Sequence, residues 1–564
     1  MHTSARRLWR ARLAAVVGLA LLAVGCGASS GGGSGGSATK SGGTVTFALD
    51  EELPGFNILQ ASDSSFQLGM VQNNVWPSVF VIHPDLKPHL DTELVTSAKE
   101  TSTDPQTIVY QINPKAIWSD GVPINADDFI YNWQVQSGNP KYKDVGGQPF
   151  EAASTTGYSS IKSVTGSNGG KMVTAVFAQP FGDWKSLFSP MFPAHTAKKY
   201  GFNDGFQNFG PAVQVSGGPY MMKSYSKDQD LVEVPNPRYW GPKPKLDQLV
   251  FRIIANDNQQ PAAVQNNEVQ IVNPMVPNVQ FLDSVKSIPG FNVKVAPNLE
   301  FQHIDFNLAN PYLADVDVRH AIAYGTDREA IVKRTADEVD PGIKPLNNHI
   351  FMATQPQYKD NSDGYGRYDP AKAKQLLKQA NMTMGSDGYF HPNSGPQAGQ
   401  DLTFNIISTA GVVTREQIEQ LFQSEMKQIG VKIEIQNHTK LGAIQTQGLF
   451  DTMLIAWVLS PFPSGTQAIY CSYTSGDQCG DNWDHYASPQ EDKLLQEGVN
   501  SVDPQQEVKY FNQADALLWK NMVTLPLFQN PELFGWSKKV VGVQPNSSSQ
   551  GLTWNDQDWA LSAG

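Results

Sequence analysis

Beyond its first 25 residues the chain lacks a long apolar run and a basic tract, and it has few cysteines. No later segment offers 18 or more apolar residues, so none is long enough to cross a membrane as a helix. Without a cluster of lysine or arginine, nucleic acid is not an expected partner. The chain contains three cysteines: Cys26, Cys471 and Cys479.

The N-terminus is basic and then apolar. Four arginines precede an apolar run from Leu13 to Val24. This run is shorter than the roughly 20 residues that a spanning helix needs. A basic segment, a short apolar segment and small residues before a cut are typical of a secretory signal. We therefore predict a signal peptide over residues 1–25.

The segment LAVGC, Leu22–Cys26, resembles a bacterial lipobox, in which the cysteine after the cut receives lipid. Ala23 departs from the pattern, which usually has leucine there, although Leu22 stands one place earlier. The alternative is ordinary secretion, with Cys26 removed or left free. A lipidated cysteine carries several acyl chains, and stable anchoring needs more than one. The prediction is a protein held on the outer face of the cell membrane.

Behind Cys26, residues 27–43 are rich in glycine and serine. They predict a flexible linker with a reach of about 20–25 Å. The body from Thr44 to Gly564 is long enough for two to four domains. Residues 1–25 hold four arginines and no acidic residue, so their removal changes the net charge from −12 to −16. This acidity supports solubility and says little about the fold.

Cys471 and Cys479 delimit the short segment CSYTSGDQC. An exported protein meets oxidising conditions, so we predict a disulfide that closes this small loop. A pair of metal ligands is the alternative, but no histidine lies close in sequence until His485.

Helices and strands alternate along the second half of the chain, and no repeat at a period of 20–50 residues is visible. In residues 402–436, LTFNIIS predicts a strand, apolar residues then recur at helical spacing, and VKIEI predicts the next strand. Thr414 and Gln417 fit a capping box, and Gly430 fits a left-handed helix end. We therefore expect a right-handed βαβ crossover and an α/β fold here.

Two further helices are predicted in this half. One begins at Asp369-Pro370, with proline at the first helical position, and ends near Ala380. The other spans about Pro504 to Met522. The first half of the chain is richer in short strands with proline and glycine turns.

The stretch AIWSDGVPINADDF, Ala116–Phe129, contains three carboxylates that could be catalytic or structural. Asp120-Gly121 fits a tight turn. Asn125 and Asp128 fit a capping box, and Asp127 with Asp128 complements the helix dipole. Because each carboxylate has a local structural task, we predict no catalytic residue here.

A series of segments carries a family resemblance. Tyr110–Trp133 resembles the signature region of the family-5 solute-binding proteins of ABC importers, the oligopeptide- and dipeptide-binding group, with its W-S-D-G, proline and A-D-D. Further similar segments follow in order: GGPYMMKSYSKDQDLVEVPNPRYW (217–240), FNLANPYLADVDVRHAIAYGTDREAIV (306–332), YDPAKAKQLLKQA (368–380), the unit over 402–436 and TLPLFQN (524–530). Together they cover nearly the whole mature chain. The C-terminal part, ending in LTWNDQDWAL, looks most like actinobacterial lipoprotein members.

The resemblance implies an α/β, two-lobed periplasmic-binding-protein-like fold, with the ligand cleft between lobes joined by a hinge. A further small domain is expected on one lobe. The expected parts are a discontinuous first lobe (44–61, 191–297 and 524–564), an inserted extra domain (62–190) and a second lobe (298–523). Clefts between domains are the usual place for ligands, and the stretch Ala116–Phe129 would lie away from this one.

In peptide-binding relatives, the ligand lies extended and pairs with strands of the cleft. An aspartate in a W-x-x-D-Y segment holds the α-amine of the peptide. The matching segment here, AWVLSPFPSG, aligns Trp457 with the family tryptophan and places Ser460 at the aspartate. A buried ammonium without a carboxylate is costly. Either another acid supplies the charge, or the ligand has no free amine.

These positions give the expected ligand-binding residues. Trp457 and Ser460 are expected to line the cleft. The others come from the early segment LPGFNIL and from the region after the cysteine loop: Phe56, Asn57, Asn482 and Trp483. For each aromatic residue the alternative is core packing. No catalytic residue, metal ligand or cofactor is expected.

The function implied is capture of peptides or similar small solutes by a monomer that delivers them to an ABC permease and its ATPase. A secreted hydrolase is less supported, because no carboxylate pair stands out beyond its capping role and no H-E-x-x-H occurs. The segment GSNGGKM, Gly166–Met172, fits a hairpin turn better than a phosphate loop. A regulatory lipoprotein of the same fold, or one that binds a sugar, lipid headgroup or metal complex, stays open.

Overall fold

The structure is a computed structural model that describes residues 39–60, 62–438, 441, 444–445, 447–473 and 481–563. The predicted signal peptide, Cys26, most of the linker and Cys479 lie outside the described residues. Within the described ranges, no helix combines the length and apolar character needed to span a membrane.

The described strands, in chain order, are β1 Thr39–Lys40, β2 Thr44–Leu49, β3 Phe80–Ile82, β4 Pro88–Leu90, β5 Val95–Thr103, β6 Gln106–Ile112, β7 Ile161–Ser167, β8 Met172–Phe177, β9 Tyr220–Ser226, β10 Asp230–Pro235, β11 Gln248–Ile253, β12 Ile271–Val272, β13 Phe291–Phe306, β14 Met382–Met384, β15 Phe390–Pro392, β16 Thr403–Ile407, β17 Lys432–Ile435, β18 Thr452–Val458, β19 Thr524–Ser537, β20 Val540–Val541 and β21 Ala560–Ser562. The described helices are α1 Phe66–Gln72, α2 Ala126–Gln136, α3 Ala194–Tyr200, α4 Gln260–Gln265, α5 Val279–Lys286, α6 Val316–Gly325, α7 Arg328–Arg334, α8 Ala336–Val339, α9 Pro370–Gln379, α10 Val413–Ile429, α11 Gln467–Tyr470, α12 Pro489–Val499 and α13 Pro504–Asn521.

One ten-stranded sheet runs through both halves of the molecule, in the order β17-β16-β18-β13-β19-β12-β2-β11-β10-β9. Two long strands, β13 and β19, carry the chain from one half to the other and pair antiparallel. Their register breaks between Pro297 and Phe301. On one side of this break β13 pairs with β18, and on the other side β19 pairs with β12. The two strands therefore form a two-stranded crossing between the lobes.

Each half has its own buried core. The first-lobe core packs around β2, β9 and β11 and includes Phe47, Tyr220 and Phe251. The second-lobe core packs around β13, β16 and α10 and includes Ile304 and Phe422. In this second half, β16 and β17 pair parallel on either side of α10, which confirms the predicted βαβ unit.

Within residues 62–190, the region expected to form the extra domain, β5-β6-β8-β7 is a four-stranded antiparallel sheet covered by α2. Its core includes Tyr110, Trp118 and Phe129 and continues into α12 and α13 of the second lobe, through Val499 and Phe511. The inserted domain is thus packed against the second lobe as well. The hairpin between β7 and β8 contains the segment Gly166–Met172, as predicted.

Most of the local helix signals are confirmed. The Asn125 side chain and the Asp128 carboxylate form the predicted capping box of α2. Asp369 caps α9, with Pro370 at its first position. The third predicted helix is α13, and Gly430 ends α10 with φ +84°. In the stretch Ala116–Phe129, Asp128 therefore has the predicted structural role at the start of α2, where Asp127 also lies in the first turn.

The capping box predicted at the start of α10 is wrong. The helix begins at Val413, so Thr414 already lies inside its first turn, and the capping residue Val412 has no side-chain oxygen. The Glu416 carboxylate instead accepts a hydrogen bond from the Gly411 backbone, at 3.1 Å.

The division into lobes remains a prediction, but β19 moves one of its boundaries. Leu525 and Phe528 pack in the second-lobe core. Leu533 and Phe534 pack with strands of the first half. A boundary before residue 524 is therefore too early, because β19 crosses between the two halves near Asn530.

Candidate functional site

The strand directions place a cleft at the crossing of β13 and β19. In the first half, β2 runs parallel to β11 and β12, and β12 is antiparallel to the outgoing part of β19. In the second half, β16 runs parallel to β17 and β18, and β18 is antiparallel to β13. The carboxyl ends of all six strands therefore point at the crossing. Ligands of open α/β sheets bind outside such carboxyl ends.

The predicted cleft residue Trp457 lies at the end of β18, beside this crossing. Its ring is sandwiched between His303, with centroids 6.0 Å apart and planes 9° apart, and Trp483, at 5.1 Å and 26°. His303 is fully buried and lies 3.1 Å from Asp305. Trp457 and Trp483 are both half-buried. The structure thus brings these two predicted residues together as one aromatic stack.

Ser460 is half-buried in the turn after β18. Its hydroxyl accepts a hydrogen bond from the Phe462 N–H and donates one to the Phe462 carbonyl, both at 3.1 Å. The neutral hydroxyl therefore hydrogen-bonds within its own turn and supplies no negative charge to a ligand.

Three predicted site residues have structural roles instead. Phe56 is 3% exposed and packs edge-on against Tyr225. Asn57 is fully buried and donates to the Phe202 carbonyl at 3.0 Å. Asn482 is 3% exposed and donates to the carbonyls of Cys471 and Tyr486. Because these side chains have no surface in the cleft, the prediction that they bind ligand is not supported.

Cys471 is part of a disulfide. The predicted partner, Cys479, lies outside the described residues, so the pairing itself remains a prediction.

The floor of the cleft carries charged residues that the sequence patterns did not single out. Arg415, in the first turn of α10, is 7% exposed and donates to Gln302 at 3.3 Å and to Thr409 at 3.2 Å. Glu300 lies on β13 at the crossing, is 5% exposed and accepts from Asn298 at 3.1 Å. The sequence could have indicated Glu300, because a glutamate within the strand NLEFQHIDF is unusual for a buried position.

Two more carboxyl groups lie at the same crossing. Glu51 follows β2 on the first lobe, and Glu532 on β19 accepts a hydrogen bond from Asn273 at 3.1 Å. Burial raises the pKa values of Glu51 and Glu300, and the charge of Arg415 partly offsets this. Burial also raises the pKa of Glu532 well above its ordinary value. Residues of both lobes therefore share one electrostatic environment.

This geometry is matched by known proteins. Residues 89–478 match the family described as "Bacterial extracellular solute-binding proteins, family 5 Middle". The chain belongs to this family. This family-5 protein is 32% identical over 503 residues to the oligopeptide-binding protein OppA of Mycobacterium tuberculosis, and the alignment covers 87% of this chain and 80% of OppA.

Two other similarities are to proteins whose named ligands are not peptides. LpqW of Mycobacterium tuberculosis, named a probable monoacyl phosphatidylinositol tetramannoside-binding protein, is 33% identical over 289 residues, or 49% of this chain and 43% of LpqW. The structure of a periplasmic EDTA-binding protein, EppA, superposes with a TM-score of 0.84 at 26% identity and covers 93% of this chain and 98% of EppA. These are all binding proteins by name, and their named ligands differ in chemistry.

In this family-5 protein the inserted domain touches the second lobe at Gly182 and Asp183. The Gly182 N–H donates to the Val499 carbonyl, and the Asp183 carboxylate accepts from the Ser464 N–H, both at 3.0 Å. Asp183 also shares a hydrogen bond with the Glu507 carboxyl group. Burial raises the pKa of Asp183, and burial with the nearby Asp183 charge raises that of Glu507 to about 9. Two carboxyl groups can share a hydrogen bond only when one is protonated.

This contact is expected to weaken as pH rises. When the contact opens, the pKa of Glu507 falls from about 9 toward its ordinary 4.5. The stabilisation is therefore complete below about pH 4.5 and is lost as pH rises toward 9. Glu507→Gln keeps a neutral donor and should remove the dependence. Small-angle scattering from pH 5 to 9 should show opening of the wild type but not of the variant. Glu497→Gln, a half-buried glutamate on the neighbouring helix, is the control. Equal opening of wild type and Glu507→Gln would contradict the role of this pair.

A cavity of about 1340 Å³ lies in the second lobe and reaches the crossing. Its wall comes from residues 327–368 of the second lobe and from Pro297 and Gln529 at the crossing. No residue of 44–61 or 191–296 lines it. We place the ligand site in the cleft because only there do the strand ends of both lobes converge.

One group of possible metal ligands occurs among the described residues. The ligand atoms of Asp387, His391 and Asp401 lie within 4.8 Å of one another on the surface of the second lobe. His391 already hydrogen-bonds Asp387 at 2.8 Å. Exposed acidic groups with such contacts are common without an ion, so this group carries no metal assignment.

Proposed function

We propose that this chain is the extracellular receptor of an ABC importer for peptides or similar small solutes. It holds the solute between its lobes and delivers it to a membrane permease, while partner ATPase subunits hydrolyse ATP. The observation that carries the proposal is the convergence of strand ends from both lobes at the crossing. The 32% identity with an oligopeptide-binding protein over most of the chain supports it. The chain itself catalyses no reaction.

The proposed mechanism is a change between open and closed lobes. The lobes are connected by β13 and β19, whose register breaks at the crossing, so this is where the chain can bend. A ligand that contacts both lobes is bound better by the closed form and shifts the equilibrium toward it. The permease then recognises the closed form. Trp457, Trp483 and Ser460 remain the proposed contacts on the second lobe.

The proposed location is the outer face of the cell membrane. A lipid on Cys26 and the linker over residues 27–43 would hold a monomeric body close to the permease. Membership of a family of extracellular proteins supports export.

A second candidate function is binding of a ligand without a free amine, such as a lipid headgroup, a sugar or a metal complex. The protein would bind this ligand either for transport or for regulation. The neutral side chain of Ser460 favours it. The similarity to LpqW, which covers 49% of this chain, is consistent with it.

Native mass spectrometry of the protein, purified from its own organism without denaturation, tests the two candidates. Added masses that sequence as short peptides would support peptide transport. One discrete non-peptide mass would support the second candidate. An empty protein that also binds no peptide pool would contradict the importer proposal and favour a regulatory role.

A further inference from the structure

The neutral Ser460 leaves the positive end of a peptide without its usual partner. An ammonium group that enters a closed cleft loses water and needs a carboxylate in return. Any replacement must come from residues that line the same end of the cleft.

Glu300 lies on the strand next to the Ser460 segment. In the sheet, Glu300 is the register partner of Val458, and the Leu459 N–H donates to the Leu299 carbonyl at 2.7 Å. Paired strands lie about 4.8 Å apart. The backbone of Glu300 is thus one strand spacing away from Val458, which precedes Ser460 by two residues.

Glu51 belongs to the other lobe. It follows β2 on the first lobe, and its side chain is exposed to solvent although protein surrounds it closely enough to raise its pKa. Glu51 and Glu300 also act on each other by charge. A cation between them would contact both lobes, which is what a closing ligand requires.

The charges at this site do not balance. The charges of Glu51, Glu300 and Glu419 all act on Arg415, and Glu300 acts on Glu532. Among the described residues, Arg415 is the one cation whose charge acts on Glu51 and Glu300. A single arginine therefore faces three carboxyl groups, Glu51, Glu300 and Glu419.

Buried amides at the site also lack partners. Asn530 is 1% exposed and its side chain lies against the Glu300 carboxyl group. Its amide oxygen accepts no hydrogen bond from the described residues. Gln302 is fully buried, and its amide nitrogen likewise donates to no described residue. Buried polar atoms usually have partners, so these two atoms are available to a polar group that enters the site.

We propose that Glu300 and Glu51 bind the α-ammonium group of a peptide ligand, with the Asn530 amide oxygen as an additional acceptor. This proposal rests on the proposed function as a peptide receptor. It makes Glu300 and Glu51 specificity-determining residues, because together they select ligands with a free amine.

The test compares Ala-Ala-Ala-Ala with N-acetyl-Ala-Ala-Ala-Ala by calorimetry. The protein is expressed from Gly27 onward, which keeps the whole described body. Wild type is expected to bind the free-amine peptide at least about 30-fold more tightly, which is about 2 kcal/mol. Glu300→Gln and Glu51→Gln should remove most of this difference and leave the acetylated peptide unaffected. The matched control is Glu52→Gln, which alters the exposed neighbour of Glu51.

The outcomes separate this proposal from the function on which it rests. If the preference for the free amine survives both glutamine variants, or if wild type binds both peptides equally, the assignment of Glu300 and Glu51 is wrong while peptide binding stands. If a variant weakens both peptides alike, its effect is structural and the assignment is again wrong. If neither peptide binds wild type, the peptide function itself fails and this proposal fails with it.

Discussion

Gly182→Ala is expected to lower the affinity for ligand on the order of 100-fold. A Cβ atom at Gly182 would lie 2.1 Å from the Ser501 backbone oxygen and 3.4 Å from Glu507 Oε1. A backbone oxygen cannot turn away as a flexible side chain can, so the inserted domain must move from the second lobe. Overpacking of this kind costs about 1–3 kcal/mol. Under the proposed closing of the lobes, this cost falls on the closed form and appears directly in the dissociation constant.

Calorimetry with the ligand identified by mass spectrometry would measure this effect, and small-angle scattering would show a more open protein. Gly465→Ala is the matched control, because Gly465 lies in the neighbouring turn and a Cβ there meets no atom within 4 Å. An unchanged affinity in Gly182→Ala would show that the contact between inserted domain and second lobe plays no part in closure.

Trp457→Ala is expected to abolish most ligand binding and to lower stability. The substitution removes the middle ring of the stack formed with His303 and Trp483. Truncation of a core tryptophan costs about 3–5 kcal/mol, and the half-buried position of Trp457 places its effect near the lower end. The His303 ring, which is fully buried, would lose its cover on one face.

Trp457→Phe distinguishes packing from ligand contact. Phenylalanine keeps an aromatic ring between His303 and Trp483, so the melting temperature should recover most of the loss. The affinity should recover less if the larger ring touches ligand. A Trp457→Ala variant that binds ligand as wild type does would contradict the placement of Trp457 in the cleft.

The local elements were predictable because their signals are local. The Asn125–Asp128 cap, the Pro370 helix start and the left-handed Gly430 depend on backbone hydrogen bonds within a few residues. The Thr414 cap failed because α10 extends two residues further toward its N-terminus, and Glu416 satisfies the Gly411 N–H. Competing caps of similar energy cannot be ranked without the tertiary context of the preceding strand.

The ligand-binding residues were only partly predictable. Trp457 and Trp483 came from the position of one motif, and the structure stacks them together. Phe56 and Asn57 lie in a segment of the first lobe next to the cleft, but their side chains point into the core. A one-dimensional pattern locates a segment near a site, and the backbone path decides which of its side chains reaches the ligand.

By itself the sequence determined the family, the α/β character of the second half and the structural role of the carboxylates in Ala116–Phe129. These depend on short-range hydrogen bonding and on the spacing of apolar residues. Only the tertiary structure decided that Glu51 and Glu300 meet Arg415 at one crossing, with Glu532 beside Glu300. These residues are separated by up to hundreds of positions in the chain, and the pairing of β13 with β19 brings them together. Electrostatic interactions depend on distance in space, which the order of residues does not contain.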